Sequence, residues 1–464
     1  MATKTASDPT QHLRRSLTLW DLILYGVIVI QPVAPMSVFG VLSNRGHGHV
    51  VTTILIAMIG MLFTAISYGR MASVYPSAGS AFTYVGQEIN PVLGYITGWS
   101  MVMDYMLNPM ICIIWCSQQA HVFAPHVSYW VWAIFFFVMF TLLNVQGVKT
   151  SARVNAGLGA AMGAVVAIFF IAAARYILGT PHDGVSFFTR PFYDPQLFDF
   201  RSVLAGTSIA VLSYIGFDGI STLSEEAENP RRNILLATVL TCLVIGILSA
   251  MQVYAAQLIW PASQPFPNED TAFVSVAQRA WPPLFAIVGF TLLVANFGSG
   301  MGAQIGAARL LYGMGRSNAL PKSFFGAVDG KHHVPRNNVF FVGLIALAGA
   351  LLVLVPTHRQ TVCGNSMFCY GLGAEMLNFG ALIAFMGVNA ASFVHYFLRQ
   401  NDKKLTSLLP PVLGFLICLG LWLGLSKPAK IAGVIWLSVG IAFGAWKTKG
   451  FRGSLIDFEL PEEP

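Results

Sequence analysis

Twelve apolar runs, each close to the roughly 20 residues that an α-helix needs to cross a bilayer core, follow one another along this chain between about residues 17 and 447. Short polar loops separate them. In lipid every backbone N–H and C=O must find its partner within the protein. Side chains are 55% hydrophobic and 10% charged over 464 residues, and mean hydropathy is +0.65. A soluble chain carries roughly 25% charged residues. The sequence therefore reads as an all-α integral membrane protein with 12 transmembrane helices.

The polar, basic start, MATKTASDPTQHLRRSLTLW, has no cleavage-site pattern and reads as a cytoplasmic tail. The net charge of +7 is spread thinly between apolar runs, which fits the positive-inside rule and not a nucleic-acid surface. Arg14, Arg15, Lys149, Arg231, Arg232 and Arg399 fall on the same side as the N-terminus when the runs alternate direction. Twelve crossings then leave both termini cytoplasmic. Cys112, Cys116, Cys242 and Cys418 lie inside apolar runs and read as buried thiols. Cys363 and Cys369 share an external polar loop, CGNSMFC, and are a candidate disulfide.

Two runs contain residues that oppose helix. The first holds Gln31-Pro32-Val33-Ala34-Pro35; the sixth holds Gly216-Phe217-Asp218-Gly219. Proline removes a backbone donor and glycine weakens a helix. An aspartate at that depth is expensive unless it is paired or faces a polar cavity. The interruptions lie five runs apart, and paired breaks in two halves point to an inverted-repeat transporter whose site lies at the breaks. Expected units are a tail (1–16), a five-helix repeat (17–178), its inverted copy (203–398), two peripheral helices (408–447) and a second tail (448–464).

The segments FTAISYGRMASVYPSAGSAFTYV (63–85), INPVLGYITGWSMVMDY (89–105), SYIGFDGISTLSEEAENPRRNI (213–234), ARLLYGMGRSNALP (308–321) and LNFGALIAFMGVN (377–389) carry a resemblance. The chain resembles the amino acid–polyamine–organocation superfamily of secondary transporters, most closely its putrescine-importer-like branch, over nearly its whole length. The resemblance implies a LeuT-type 5+5 inverted repeat with spans 1 and 6 broken at the substrate. It also implies that Phe217 is an aromatic gate or wall over that substrate.

Candidate substrate contacts follow from what an amine or amino acid requires: carboxylates, aromatic faces, carbonyl oxygens and free N–H groups at half-helix ends. At the first break these are Ile30, Gln31, Val33 and Ala34; at the second, Ser213, Tyr214, Gly216, Phe217 and Asp218. Asp104 and Tyr105 in the third span and Asn296 in the eighth complete the set. Asp218 is open to two roles, pairing a cationic substrate or tying down a neighbouring helix, and Asp104 is either functional or a buried acid satisfied by its neighbours. Candidates for proton or sodium coupling are Asp104, Asp218 and Ser299. The fifth span lacks the lysine that several superfamily members place at the sodium position. Glu225, Glu226, Arg231 and Arg232 look like a gate or loop network. Histidines at 47, 49, 332 and 333 have no metal-ligand company, the GSGMG glycines follow no strand, and no catalytic constellation stands out. The expectation is a bacterial inner-membrane importer of a small amine such as putrescine, without cofactor, metal or nucleic-acid partner and not an enzyme. An amino-acid transporter or exchanger is the first alternative, and a non-transporting sensor the second.

Overall fold

The structure, a computed structural model, describes residues 17–75, 80–147, 152–182, 184–224, 227–316, 320–329, 334–361, 363–448 and 450. Helix α1 (Leu19–Ile30) begins at a capping box. Thr18 Oγ1 accepts from the Asp21 N–H, and Asp21 Oδ2 accepts from the Thr18 N–H at 2.9 Å, so two of the donors orphaned at a helix start are satisfied. There follow α2 (Ala34–Arg45), α3 (Val50–Val74), α4 (Ser80–Glu88), α5 (Pro91–Phe123), α6 (Tyr129–Val145), α7 (Ala152–Gly179), α8 (Val185–Thr189) and α9 (Phe200–Ala210). The second part of the chain forms α10 (Pro230–Ile259), α11 (Ala272–Ala280), α12 (Leu284–Arg316), α13 (Lys322–Phe325), α14 (Arg336–Leu352), α15 (Tyr370–Phe393), α16 (Leu405–Gly424) and α17 (Lys427–Lys447).

Among the described residues eight helices are long and apolar enough to span a bilayer: α3, α5, α7, α10, α12, α15, α16 and α17. Helices α1 and α2 form one further apolar pair, bent by 47° at the expected first break. Three other runs give shorter helices. Both α6 and α14 have 17 residues, about 26 Å at 1.5 Å per residue against a hydrocarbon core of about 30 Å. The run at 200–213 is shorter still because its helix unwinds. One departure from an all-helical chain is a hairpin between α14 and α15, β1 (Pro356–Thr361) with β2 (Gly364–Ser366). Cys363 and Cys369 are disulfide-bonded beside it, with Cα atoms 5.4 Å apart.

Helix α5 lies at the centre, packed against α12, α15, α14, α6 and α4, while α3 lies along α10. Small residues permit the closest approaches. A Cβ on Gly380 would collide with the Ser100 carbonyl, and one on Gly69 would stand 2.5 Å from Leu235 Cα. At the periphery α17 docks on α5 through Trp99 and Trp436, whose rings stack at 4.7 Å. Each indole N–H donates to the other residue's carbonyl, at 2.8 and 2.9 Å.

Candidate functional site

Gln31 sits at φ 72° between α1 and α2. Pro32 has no N–H to return to the carbonyl four residues before it, so the helix cannot continue. The groups this frees are largely taken up by protein. Gln31 Nε2 donates to the Ala295 carbonyl on α12 at 2.7 Å. The Pro32 carbonyl accepts from Gln252 Nε2 on α10 at 2.9 Å, and Gln252 is fully buried. Asn296 Nδ2 donates to Ser37 Oγ on α2 at 3.0 Å. Of the candidates at this level, Ile30 and Val33 are buried, Ala34 opens α2, and the amides of Gln31 and Asn296 bind helices together.

The second interruption begins earlier than Gly216. Helix α9 ends at Ala210, a 3₁₀ turn covers Val211–Ser213, and Gly216 at φ 116° starts a second 3₁₀ stretch, Phe217–Leu223. A side chain at Gly216 would be strained at that φ. Its Cβ would also stand 3.1 Å from Val29 Cγ1 and 3.4 Å from Ile30 Cγ1, so the two breaks touch. The Asp218 carboxylate lies against the unwound backbone at Gly216, Gly219 and its own residue, while the Gly219 N–H donates to the Gly216 carbonyl at 3.1 Å. Tyr214 turns away: its hydroxyl donates to the Ile54 carbonyl on α3 at 2.9 Å. Ser213 is buried, and its hydroxyl has no protein partner.

Around Asp218 the tertiary structure gathers an acid layer. Asp104, buried on α5, lies within electrostatic reach of it. Tyr105 lies within reach of both acids and of Tyr25. Tyr68 on α3 lies within electrostatic reach of both acids and Tyr84 on α4 of Asp218; the Tyr68 hydroxyl is buried without a hydrogen-bond partner, and the Tyr84 hydroxyl lies beside Ser221. Phe217 closes one side, edge-on to Tyr68 at 5.5 Å and tilted on Phe385 at 5.3 Å. Tyr25, Tyr68, Tyr84 and Phe385 are absent from the set read off the sequence. Tyr68 and Tyr84 lie inside the 63–85 motif, but an aromatic within an apolar run gives no sign of which way it faces.

The candidates thus divide between two levels. On α12, Gly306 stands beside Tyr105, Gly300 beside Cys112, and Ala295 meets Gln31. Asp104 and Cys112 are eight residues apart, about 12 Å along a helix. Ser299, beside Cys112, and Asn296 therefore lie well away from the acids, near the first break. Of the gate candidates, Glu225 and Glu226 lie outside the described residues, and Arg231 and Arg232 are exposed at the start of α10. Nearby, the Glu228 N–H donates to the Leu17 carbonyl at 2.9 Å, tying the start of the first span to the end of the sixth. No group of three or more His, Cys, Asp or Glu among the described residues could hold a metal.

Residues 32–443 match the amino acid permease family. The chain belongs to that family. The low-affinity putrescine importer PlaP of Escherichia coli K12 is 32% identical, with 98% of each chain covered. The branched-chain amino acid permease BcaP of Lactococcus lactis is 24% identical over 94% of this chain and 95% of its own. The methylthioribose transporter of Bacillus subtilis is 23% identical over 95% of each. The matched range contains both acids and the whole second break, and with the long apolar helices it makes this permease a multi-pass membrane protein.

Proposed function

We propose that this permease imports a small organic amine, a polyamine such as putrescine, across a bacterial inner membrane by alternating access driven by a proton or sodium gradient. The observation that carries the reading is the acid layer. Two buried carboxylates within reach of one another, walled by tyrosines, favour a cation between them, since like charges in a low-dielectric interior need balancing charge. Tyrosine faces add cation–π attraction. The contact of the two breaks supports a 5+5 LeuT-type organisation in which both termini are cytoplasmic and the two halves move against each other.

A second reading, an amino-acid transporter or exchanger, is favoured by one detail. The Asp218 carboxylate lies against the backbone of its own turn, so it has less need of a substrate ammonium. Uptake of labelled putrescine into proteoliposomes under an imposed gradient, with alanine and leucine as competitors, separates the two. Competition by the zwitterions alone ends the diamine reading, and binding without accumulation ends the transport reading.

A further inference from the structure

Helix α4 is too short to span a membrane, yet it touches the acid layer at one end and a buried ionic knot at the other. At its start Ser80 Oγ lies 3.0 Å from Ser221 Oγ in the second 3₁₀ stretch, and Ser221 Oγ in turn donates to the Asp218 carbonyl at 2.6 Å. One turn on, Tyr84 packs edge-on to Tyr68 with ring centroids 6.2 Å apart. At the far end Glu88 is 1% exposed. Its carboxylate accepts from the Tyr75 hydroxyl at the end of α3 at 2.6 Å and from His395 Nδ1 at 2.5 Å, and pairs with Arg399 Nη1 at 3.1 Å. His395 and Arg399 belong to a π-helical turn, Val394–Arg399, that ends α15; such turns depart from the α-helical ladder and often mark functional positions.

We propose that Glu88 is a positioning residue of the transport cycle, holding α4 as the removable inner wall of the acid layer. The proposal rests on the transport reading above. One buried carboxylate joins the ends of α3, α4 and α15, and α4 is about 13 Å long. Releasing Glu88 lets the helix swing as a unit, taking Ser80 off Ser221 and Tyr84 off Tyr68. The 3₁₀ stretch carrying Asp218 then opens to the side on which Glu88 lies. Desolvation makes the latch a two-state element: a buried carboxylate is tolerated while Tyr75 and His395 donate to it and Arg399 pairs with it, and is costly once one of these partners is lost.

The test uses the purified full chain with Ser221→Cys as a reporter. Cys112, Cys116, Cys242 and Cys418 are buried and Cys363 is bonded to Cys369, so a water-soluble maleimide reads the new thiol over a low background. Adding Glu88→Gln is expected to raise its labelling rate at least about tenfold, as removal of a buried ionic partner shifts an opening equilibrium. Ser43→Cys, buried on α2, should label no faster. An unchanged rate at 221, or an equal rise at 43, overturns the proposal. A second arm oxidises Ser80→Cys/Ser221→Cys to tie α4 down. Putrescine uptake should stop and return with reductant; full-speed uptake by the tied protein overturns the moving wall. If the unmodified chain takes up no putrescine, the function reading fails, and the labelling arm still decides the latch because it needs no substrate.

Discussion

The two broken segments touch, yet they solve the same problem in opposite ways. At Gln31–Val33 the helix bends by 47° and resumes within three residues. Its loose ends are tied to other helices, Pro32 to Gln252 and Gln31 to Ala295. At 211–223 the α-helix does not resume. The backbone continues in turns and 3₁₀ helix, with the Asp218 carboxylate lying against it. The first break is a bend fixed by its neighbours, the hinge in the transport reading. The second is a cradle, packed against α1, α3, α4 and α10, that carries the charge, and substitutions in the two should fail differently.

The largest contrast is in uptake. Asp218→Asn and Asp104→Asn should each lower uptake of a cationic substrate by about 10- to 100-fold, since charge-assisted contacts are worth about 1.5–3 kcal/mol. Gln31→Leu should lower it far less. Initial rates in proteoliposomes check this, and unaltered uptake by both acid variants would falsify the cation site. Next comes Gly216→Ala, which places a Cβ at φ 116° against Val29. A strained backbone costs about 1–3 kcal/mol, so the variant should melt several degrees lower and lose uptake together; a change in only one would detach the cradle from the mechanism.

Gln252→Leu tests the hinge, because it leaves the Pro32 carbonyl without its amide. Hydrogen bonds within membranes average near 0.6 kcal/mol, so a small fall in melting temperature with uptake largely kept is expected. Abolished uptake would place the hinge in the site itself. The smallest effect concerns a carboxylate outside the spans. Asp270 lies in the loop before α11, where burial, and then the neighbouring Glu269, push its carboxyl up to about 7 from 3.8. The folded chain thus binds this proton more tightly than the unfolded one. The stability it contributes is complete below about pH 4 and is lost as pH rises toward 7. Melting temperatures from pH 4 to 8 should fall relative to Asp270→Asn over that window, and parallel curves would remove Asp270 from the pH response.

Much of the architecture was legible in the residues. Apolar runs of membrane length mark helices because backbone groups have no other partner in lipid. Pro32 marks its break by lacking an N–H, and Gly216 by tolerating positive φ, so both breaks are local chemistry. The second break's extent was not legible: 3₁₀ geometry continues through Ile220–Leu223, which holds no proline or glycine and packs against α1, α3, α4 and α10. Nor was the division of the site into two levels. Asn296 and Asp104 read alike as polar residues in apolar spans, and only the alignment of α12 beside α5 places one by the first break and the other by Asp218.

By itself the sequence determined a polytopic helical membrane protein, the position of its first break and the presence of intramembrane acids. Backbone hydrogen bonding in lipid and the covalent structures of proline and glycine suffice for that. The tertiary structure alone decided that Gln31 and Asn296 are spent on helix contacts, that Tyr68 and Tyr84 join the acids, and that Glu88 ties α4 to the ends of α3 and α15. Those outcomes depend on which faces of distant helices meet, and a periodic apolar run does not encode its neighbours.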